Sequence, residues 1–311
     1  MLAVALLSCG EAEITDPGIW PQFRGPQGNG VSADTGLPTE WGEDSDNLAW
    51  KTALPGRGNS SPIVSHGRVF LTAAVNVEEG EENKVQRMAL ALDFATGEIL
   101  WQTEIGLRGR GKNHRLNTSA APTPVTDGRH IFAYFGDLLV AFDRDGEILW
   151  SQVVDDEYAK YSHYGSASSP VLTENAVIVA HDRETTDKPY AWLAAFDKKT
   201  GEHVWKVDFA EGCCSYTTPL IRQRGAHQEV IFTQSGAVVS YDARTGEELW
   251  SHALQINQPV ASPLTDGDLL AVFSGAHHVR FGAVIKLTGE GKDTQTEVLW
   301  QTNRMIPQTA S

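Results

Sequence analysis

Two adjacent cysteines, Cys213 and Cys214, are the sharpest local chemical signal in the sequence. Neighbouring thiols can close a strained eight-membered disulfide ring, which persists only in an oxidising compartment. Two buried or surface thiols are the plainer alternative. A second signal is basic. Arg57, Arg108, Arg110, Lys112, His114 and Arg115 cluster on two successive loops between apolar runs. Such a cluster could hold an anion, or it could be a solvated face that serves solubility. Facing loops are acidic (Glu78, Glu79, Glu81 and Glu82; Asp182, Glu184 and Asp187) and could complement it. His163, His181, His277 and His278 lack metal-site spacing, and isolated histidines are usually satisfied structural residues. Gly25, Gly28 and Gly30 have the wrong spacing for a phosphate loop and read as a plain loop. The sequence has no GxSxG elbow and no CxxCH motif. No catalytic residue and no metal site is assigned.

The chain of 311 residues carries 25 Lys plus Arg against 40 Asp plus Glu, a formal charge of −15. That balance repels polyanions and argues against nucleic acid as a partner. With three cysteines in all, neither a zinc module nor a disulfide framework is available. No apolar run approaches the roughly 20 residues that a membrane-spanning helix needs. Residues 1–9 form a short apolar stretch ending in Ser8-Cys9. Leu6-Leu7-Ser8-Cys9 resembles the lipobox of bacterial lipoproteins, although no Lys or Arg precedes it. The resemblance implies an exported protein, periplasmic or outer-membrane-anchored, that touches the membrane only through a lipid on Cys9.

The elements that must position these residues come from an internal repeat. Tryptophans recur at Trp50, Trp101, Trp150, Trp205, Trp250 and Trp300, at intervals of 45 to 55 residues. Four are preceded by an Asp and a Gly-Glu, as in Asp93-Phe-Ala-Thr-Gly-Glu-Ile-Leu-Trp101 and Asp242-Ala-Arg-Thr-Gly-Glu-Glu-Leu-Trp250. The fifth copy, Leu287-Thr-Gly-Glu leading to Trp300, lacks the Asp and carries an insertion. Each unit opens on a small residue and a Pro: Ser60-Ser61-Pro62, Ala120-Ala121-Pro122, Ser168-Ser169-Pro170, Thr217-Thr218-Pro219 and Ala261-Ser262-Pro263. Continuous apolar runs follow, which indicates strands covered on both faces. The Asp can accept backbone N–H bonds in the turn before the Trp strand, and the Gly can take positive φ. Four-stranded units buried on both faces pack radially, which is a β-propeller. A fully buried Trp removes on the order of 200 Å² from water, at most about 5 kcal/mol gross. The six tryptophans are therefore read as structural docking residues.

The Asp-x-x-Thr-Gly-x-x-x-Trp pattern resembles the pyrroloquinoline quinone (PQQ)-type repeat, in which the Trp docks on the neighbouring blade. That repeat is shared by quinoprotein alcohol and sugar dehydrogenases, by the propeller lipoprotein of the outer-membrane β-barrel assembly machine, and by many other exported proteins. The opening Trp20-Pro-Gln-Phe-Arg-Gly-Pro, with Leu37-Pro38 and Trp41, looks most like the last group. The expected organisation is a lipoprotein-like remnant at 1–9, an extended segment at 10–45 and propeller repeats at 46–311. Five complete blades are expected at about 59–106, 117–155, 166–210, 215–255 and 260–302, with another beginning near 306. The strand at Trp50 is an orphan fourth strand, which in this family usually closes the ring by joining the last blade. The expected fold is all-β, an incomplete ring of four-stranded antiparallel blades with two open edges, from a truncated chain.

Irregular loops at Gly106–Asn117, Asp155–Gly165, His181–Tyr190 and Gly275–Gly282 share one face, where binding is expected. The first reading is a non-catalytic scaffold that binds an envelope protein or a small ligand there, without a cofactor. The alternative is a dehydrogenase domain with PQQ and Ca²⁺. Gly212-Cys213-Cys214 resembles the triplet that quinoprotein alcohol dehydrogenases place against the quinone.

Overall fold

The computed structural model describes residues 3–6, 18–42, 45–76, 84–109, 111–183, 190–209, 215–225, 227–274 and 280–304. Strands β1 (Ala3–Leu6) and β2 (Trp50–Ala53) precede five sheets of four strands each. Sheet I holds β3 (Ile63–Ser65), β4 (Arg68–Asn76), β5 (Lys84–Asp93) and β6 (Ile99–Gly109). Sheet II holds β7 (Val125–Thr126), β8 (His130–Tyr134), β9 (Leu138–Asp143) and β10 (Ile148–Val153). One helical turn, α1 (Tyr158–Tyr161), leads into sheet III, with β11 (Val171–Leu172), β12 (Ala176–Arg183), β13 (Tyr190–Asp197) and β14 (His203–Asp208). Sheet IV holds β15 (Leu220–Arg224), β16 (His227–Gln234), β17 (Ala237–Asp242) and β18 (Glu248–Ala253). Sheet V holds β19 (Leu264–Asp266), β20 (Leu269–Ser274), β21 (Phe281–Thr288) and β22 (Gln295–Thr302). Every sheet is an antiparallel meander in chain order. This is the all-β propeller architecture that the repeat implies.

The apolar runs are continuous because each strand is buried on both sides. Along β8, Ile131 and Ala133 pack with Phe70 and Ala91 of sheet I. The alternate residues Phe132 and Tyr134 pack with Val177, Val179 and Trp192 of sheet III. In β12, Ile178 and Ala180 turn the other way, toward Val230 and Phe232 of sheet IV. A period-two strand with both faces covered leaves few polar positions in its middle.

The recurring tryptophans tie consecutive sheets together. Nε1 donates from Trp50 to Phe94 O (2.9 Å), from Trp101 to Arg144 O (2.8 Å), from Trp150 to Lys198 O (3.0 Å) and from Trp205 to Ala243 O (3.0 Å). Each acceptor lies in the last turn of the following sheet. The Gly of that turn has positive φ, for example 73° at Gly201, and a Cβ there would lie 2.6 Å from the Trp150 ring. The turn's Asp fixes the backbone; Asp197 Oδ1 accepts N–H from Lys199 (2.8 Å) and Thr200 (2.9 Å). The Thr200 N–H bond holds the Asp197 carboxyl below its ordinary pKa.

The last two tryptophans depart from the docking pattern. Sheet V has no Asp in its Leu287-Thr288-Gly289-Glu290 turn. Trp250 remains packed among Leu270, Val272 and Ile285, but its N–H turns back to Glu229 Oε2 of its own sheet (2.8 Å). Trp300 is 50% exposed.

At the inner ends, a second ladder runs from sheet to sheet. Ser61 N donates to Thr123 Oγ1, Thr123 N to Ser169 Oγ, Ser169 N to Thr218 Oγ1, and Thr218 N to Ser262 Oγ, each at 3.0 Å. The second unit is therefore in register at Thr123-Pro124, two residues beyond the expected Ala121-Pro122. Thr123, not an alanine, supplies the hydroxyl. Other corrections concern extents and pairing. β6 runs through Gly109 and β12 through Arg183, into stretches expected to be loops. The strand at Trp50, expected to join the last blade, pairs with β1, with Leu6 opposite Trp50. Among the described strands, none joins sheet V to sheet I.

The N-terminal segment crosses the inner strands. Trp20 exchanges two backbone bonds with Val64 (2.9 and 2.8 Å), and Pro21 O accepts Thr126 N (2.9 Å). Farther along, a Cβ on Gly28 would sit 3.3 Å from the Leu220 side chain. The segment thus spans from sheet I to sheet IV.

Gly201→Ala and Gly236→Ala separate docking from backbone strain, since both glycines have positive φ but Gly236 faces open space. The Gly236 change is expected to cost about 1–2 kcal/mol from strain alone. The Gly201 change should cost at least about 1 kcal/mol more, because the Trp150 ring must shift. Urea melts measure both; equal losses would show that the indole does not depend on that turn.

Candidate functional site at the irregular-loop face

The connections after β6, β10 and β14 emerge on one face and are stitched to each other. His114 N donates to Tyr164 O (3.1 Å), and Asn117 Nδ2 donates to Tyr164 O (2.9 Å) and Ser166 O (3.2 Å). Gly165 has φ 82°, and a Cβ there would lie 2.5 Å from Asn113 Oδ1, so the loops approach closely. The Tyr164 ring lies 6.1 Å from His114 and 6.4 Å, edge-on, from Tyr216. Leu116 is 69% exposed beside them. The result is an aromatic and apolar rim on fixed backbone, with Lys112 and Arg115 exposed next to it.

Beneath this rim lies a buried polar layer between sheets I, II and III. Arg87 on β5 and Arg108 on β6 both pair with Asp137, in the turn between β8 and β9; the Arg108 Nε to Asp137 Oδ2 distance is 2.9 Å. Arg87 and Asp137 are buried, and the Arg87 guanidinium lies 5.5 Å from the Phe135 ring centre. Asp137 O also accepts Val154 N (2.8 Å), which carries the network into the next interface. There His181 of β12 stacks on Trp192, with ring centres 4.8 Å apart and planes at 16°. Its Nδ1 faces Tyr134 Oη and Gly136 O (both 2.9 Å), and its Nε2 faces Asp155 Oδ2 (3.1 Å). Burial raises the pKa of the Tyr134 hydroxyl well above its ordinary value, and burial also raises that of Tyr158. His181, Tyr134 and Asp155 have acid–base character, but they are enclosed, and His181 bonds to both of the others. Their arrangement fixes the loops.

The sequence-predicted residues fall in different places. Cys9, Cys213, Cys214 and Arg110 lie outside the described residues. Ser215, which follows the cysteine pair in sequence, donates its N–H to Asp182 Oδ2 of β12 (2.6 Å). Arg57 is exposed, and its backbone pairs with Ala74. Arg108 is held by Asp137, which it shares with Arg87, and so stands apart in its bonding from the exposed Lys112, His114 and Arg115. Among the described residues, no group of three or more His, Cys, Asp or Glu could hold a metal ion. His181, with partners at both ring nitrogens, is a satisfied structural residue. Asp137, Arg87, Asp155 and Tyr134 carried no recognisable spacing. The one available signal was a charged residue, Arg87, at a core position within the apolar run of β5.

A β-propeller with a built loop face is what fold and site define. Residues 25–105 and 85–307 match the family described as outer membrane protein assembly factor BamB, and the chain belongs to that family. It is 25% identical over 221 residues to the outer membrane protein assembly factor BamB of Alkalilimnicola ehrlichii, covering 70% of this chain and 49% of that one. It is 29% identical over 167 residues to a quinoprotein ethanol dehydrogenase of Pseudomonas putida, covering 49% of this chain and 23% of that one. The chain thus spans about half or less of the length of these curated relatives. In fold it is similar to a europium-containing methanol dehydrogenase (TM-score 0.68, 14% identity, 94% of this chain and 59% of that one). It is also similar to BamB from Moraxella catarrhalis (TM-score 0.51, 16% identity, 83% of this chain and 68% of that one).

Asp137→Ala leaves Arg87 buried without its anion and should destabilise by about 3–5 kcal/mol, while Arg87→Leu combined with Asp137→Leu should lose less. Denaturant unfolding measures the difference; a double variant as weak as the single would refute the pairing. The tyrosines set an alkaline limit. Their folded-state pKa values are raised above the unfolded value of 10.0, so their contribution is complete below pH 10 and is lost as pH rises beyond it. Thermal melts from about pH 9 to about pH 11 should show a falling midpoint. Tyr134→Phe should flatten that slope.

Proposed function

We propose that this protein is an exported, non-catalytic β-propeller that binds a protein or small ligand of the cell envelope through its irregular-loop face, anchored by a lipid on Cys9. The rim of His114, Leu116, Tyr164 and Tyr216 is the observation that carries this reading. Aromatic and apolar side chains on rigid loops suit a protein interface, where aromatic residues are enriched and little ordering entropy is lost. The relatives named as assembly factors support an envelope protein as the occupant. No helix among the described residues is long and apolar enough to cross a membrane. A lipid on Cys9 would supply the membrane contact.

A second reading is supported by the similarity to a quinoprotein ethanol dehydrogenase. In it, Cys213 and Cys214 would lie against PQQ, with Ca²⁺ alongside, and the Asp182–Ser215 bond would hold the chain next to the cysteine pair.

A photo-crosslinker at position 116 distinguishes the two readings when compared with one at Leu149, which is also exposed but lies on an outer strand. In envelope preparations, a discrete adduct is expected from position 116 and not from 149, with Tyr164→Ala reducing it at least about fivefold. Added PQQ and Ca²⁺ should give neither bound-quinone absorbance nor dye-linked alcohol oxidation. Tight quinone binding that is abolished by Cys213→Ser would replace the scaffold reading with the dehydrogenase.

A further inference from the structure

The N-terminal segment carries Arg24 to the inner strands; its Cζ lies 5.9 Å from the Phe23 ring centre, and among the described residues no carboxylate pairs with it. Arg24 adopts a left-handed backbone (φ 64°) in a tight turn closed by Gly30 N donating to Arg24 O (2.8 Å). The turn is pressed onto Trp20; a Cβ on Gly25 would lie 2.6 Å from that ring. Trp20 is itself fixed to Val64 by its two backbone bonds. A non-glycine residue in this conformation is strained, so the surroundings over-determine where Arg24 sits.

The Arg24 nitrogens Nε and Nη1 are shielded from solvent and have no hydrogen-bond partner. The side chain lines a cavity of about 160 Å³ with Gln22, Gln27, Thr218 and Ser262, and no Asp or Glu is among the lining residues. Thr218 Oγ1 and Ser262 Oγ each accept one N–H in the inner ladder, so each keeps an O–H to donate. Gln27 Oε1 accepts Asn29 Nδ2 (3.0 Å), which leaves the Gln27 amide hydrogens free of that bond. The cavity wall is thus rich in donors and lacks negative charge, in a chain whose formal charge is −15. Burial lowers the pKa of Arg24, as it must for an unpaired cation. Nε and Nη1 carry almost no accessible surface, so an anion would draw the Arg24 side chain toward the cavity to meet them; paired there it relieves that desolvation, and a guanidinium matches oxyanions geometrically. A cavity of about 150 Å³ accommodates a molecule the size of benzene, so the occupant has about five or six heavy atoms.

We propose that this cavity is a binding site for a small oxyanion, the carboxylate of a short organic acid or inorganic phosphate, held by Arg24 with the Thr218 and Ser262 hydroxyls beside it. The site is separate from the irregular-loop rim and stands whether or not the rim binds a protein.

The test uses the full chain titrated with sodium acetate and sodium phosphate at constant ionic strength, with sodium chloride as the control. Saturable one-to-one heat from acetate, phosphate or both is expected, with at least about a tenfold loss of affinity in Arg24→Gln. The tighter of the two anions identifies the source chemistry. On the wild-type protein, the bound anion should also slow phenylglyoxal modification of Arg24, mapped by mass spectrometry, at least about fivefold. That measurement decides the matter if Arg24→Gln does not fold. Binding no better than chloride, unchanged affinity in Arg24→Gln, or Arg24 modified equally with and without anion would each overturn the proposal.

Discussion

An indole laid on the next sheet's final turn is the contact on which the architecture depends. A single four-stranded sheet here is apolar on both faces and cannot persist alone in water. Each must therefore be clamped to a neighbour at a fixed height and tilt. The indole supplies area, its N–H selects one carbonyl, and the turn glycine supplies the space, so a single residue sets distance, orientation and register together. Hydroxyl bonds support the clamp twice; Thr52 Oγ1 reaches Gly97 O and Thr103 Oγ1 reaches Gly146 O, both at 2.7 Å. Where the platform changes, as in sheet V, the Trp250 indole stays buried but redirects its donor to the carboxylate of Glu229. There the buried Trp250 N–H still finds an acceptor, and local sequence decides which one.

The two ends of each interface have different chemistry. At the inner end, a Ser or Thr precedes a proline, and its N–H points sideways into the neighbouring sheet. The proline has no N–H to offer, so this residue provides the last donor before the strand begins. Toward the irregular-loop face, apolar packing gives way to buried ions and rings. Arg87, Asp137 and Arg108 close the first interface there, and His181, Asp155 and Tyr134 close the second. A buried pair of this kind adds little net stability over apolar packing, but breaking it is costly. Its effect is to fix the loops that it supports, which gives the rim a defined backbone.

The fold was legible because it is periodic. Six tryptophans near a fifty-residue spacing, four of them with a Gly at the same offset and an Asp just before it, report a structural unit before any contact is known. The site was much less legible. Arg108 looked like part of a free basic cluster, since its partner Asp137 lies 29 positions away in a turn without a motif. Arg57 and Lys112 are exposed, and nothing in their spacing could separate them from Arg108. The alignment of the second unit on Pro122, when Pro124 was the equivalent residue, had a similar cause: two prolines two residues apart both fit a loose small-residue pattern.

The residues alone determined the all-β class, the four-stranded unit and the turns that join its outer strands, because those depend on short-range spacing and on conformations that Gly and Asp favour. Tertiary structure decided which charges meet, which histidine is enclosed and which arginine stands unpaired. Those outcomes depend on distances between residues far apart in the chain, and loop segments of differing length set them. Arg24 shows the division well. The sequence presents it within a glycine-rich opening loop, and only packing against Trp20 and the inner strands leaves Nε and Nη1 dry and, among the described residues, without an acceptor.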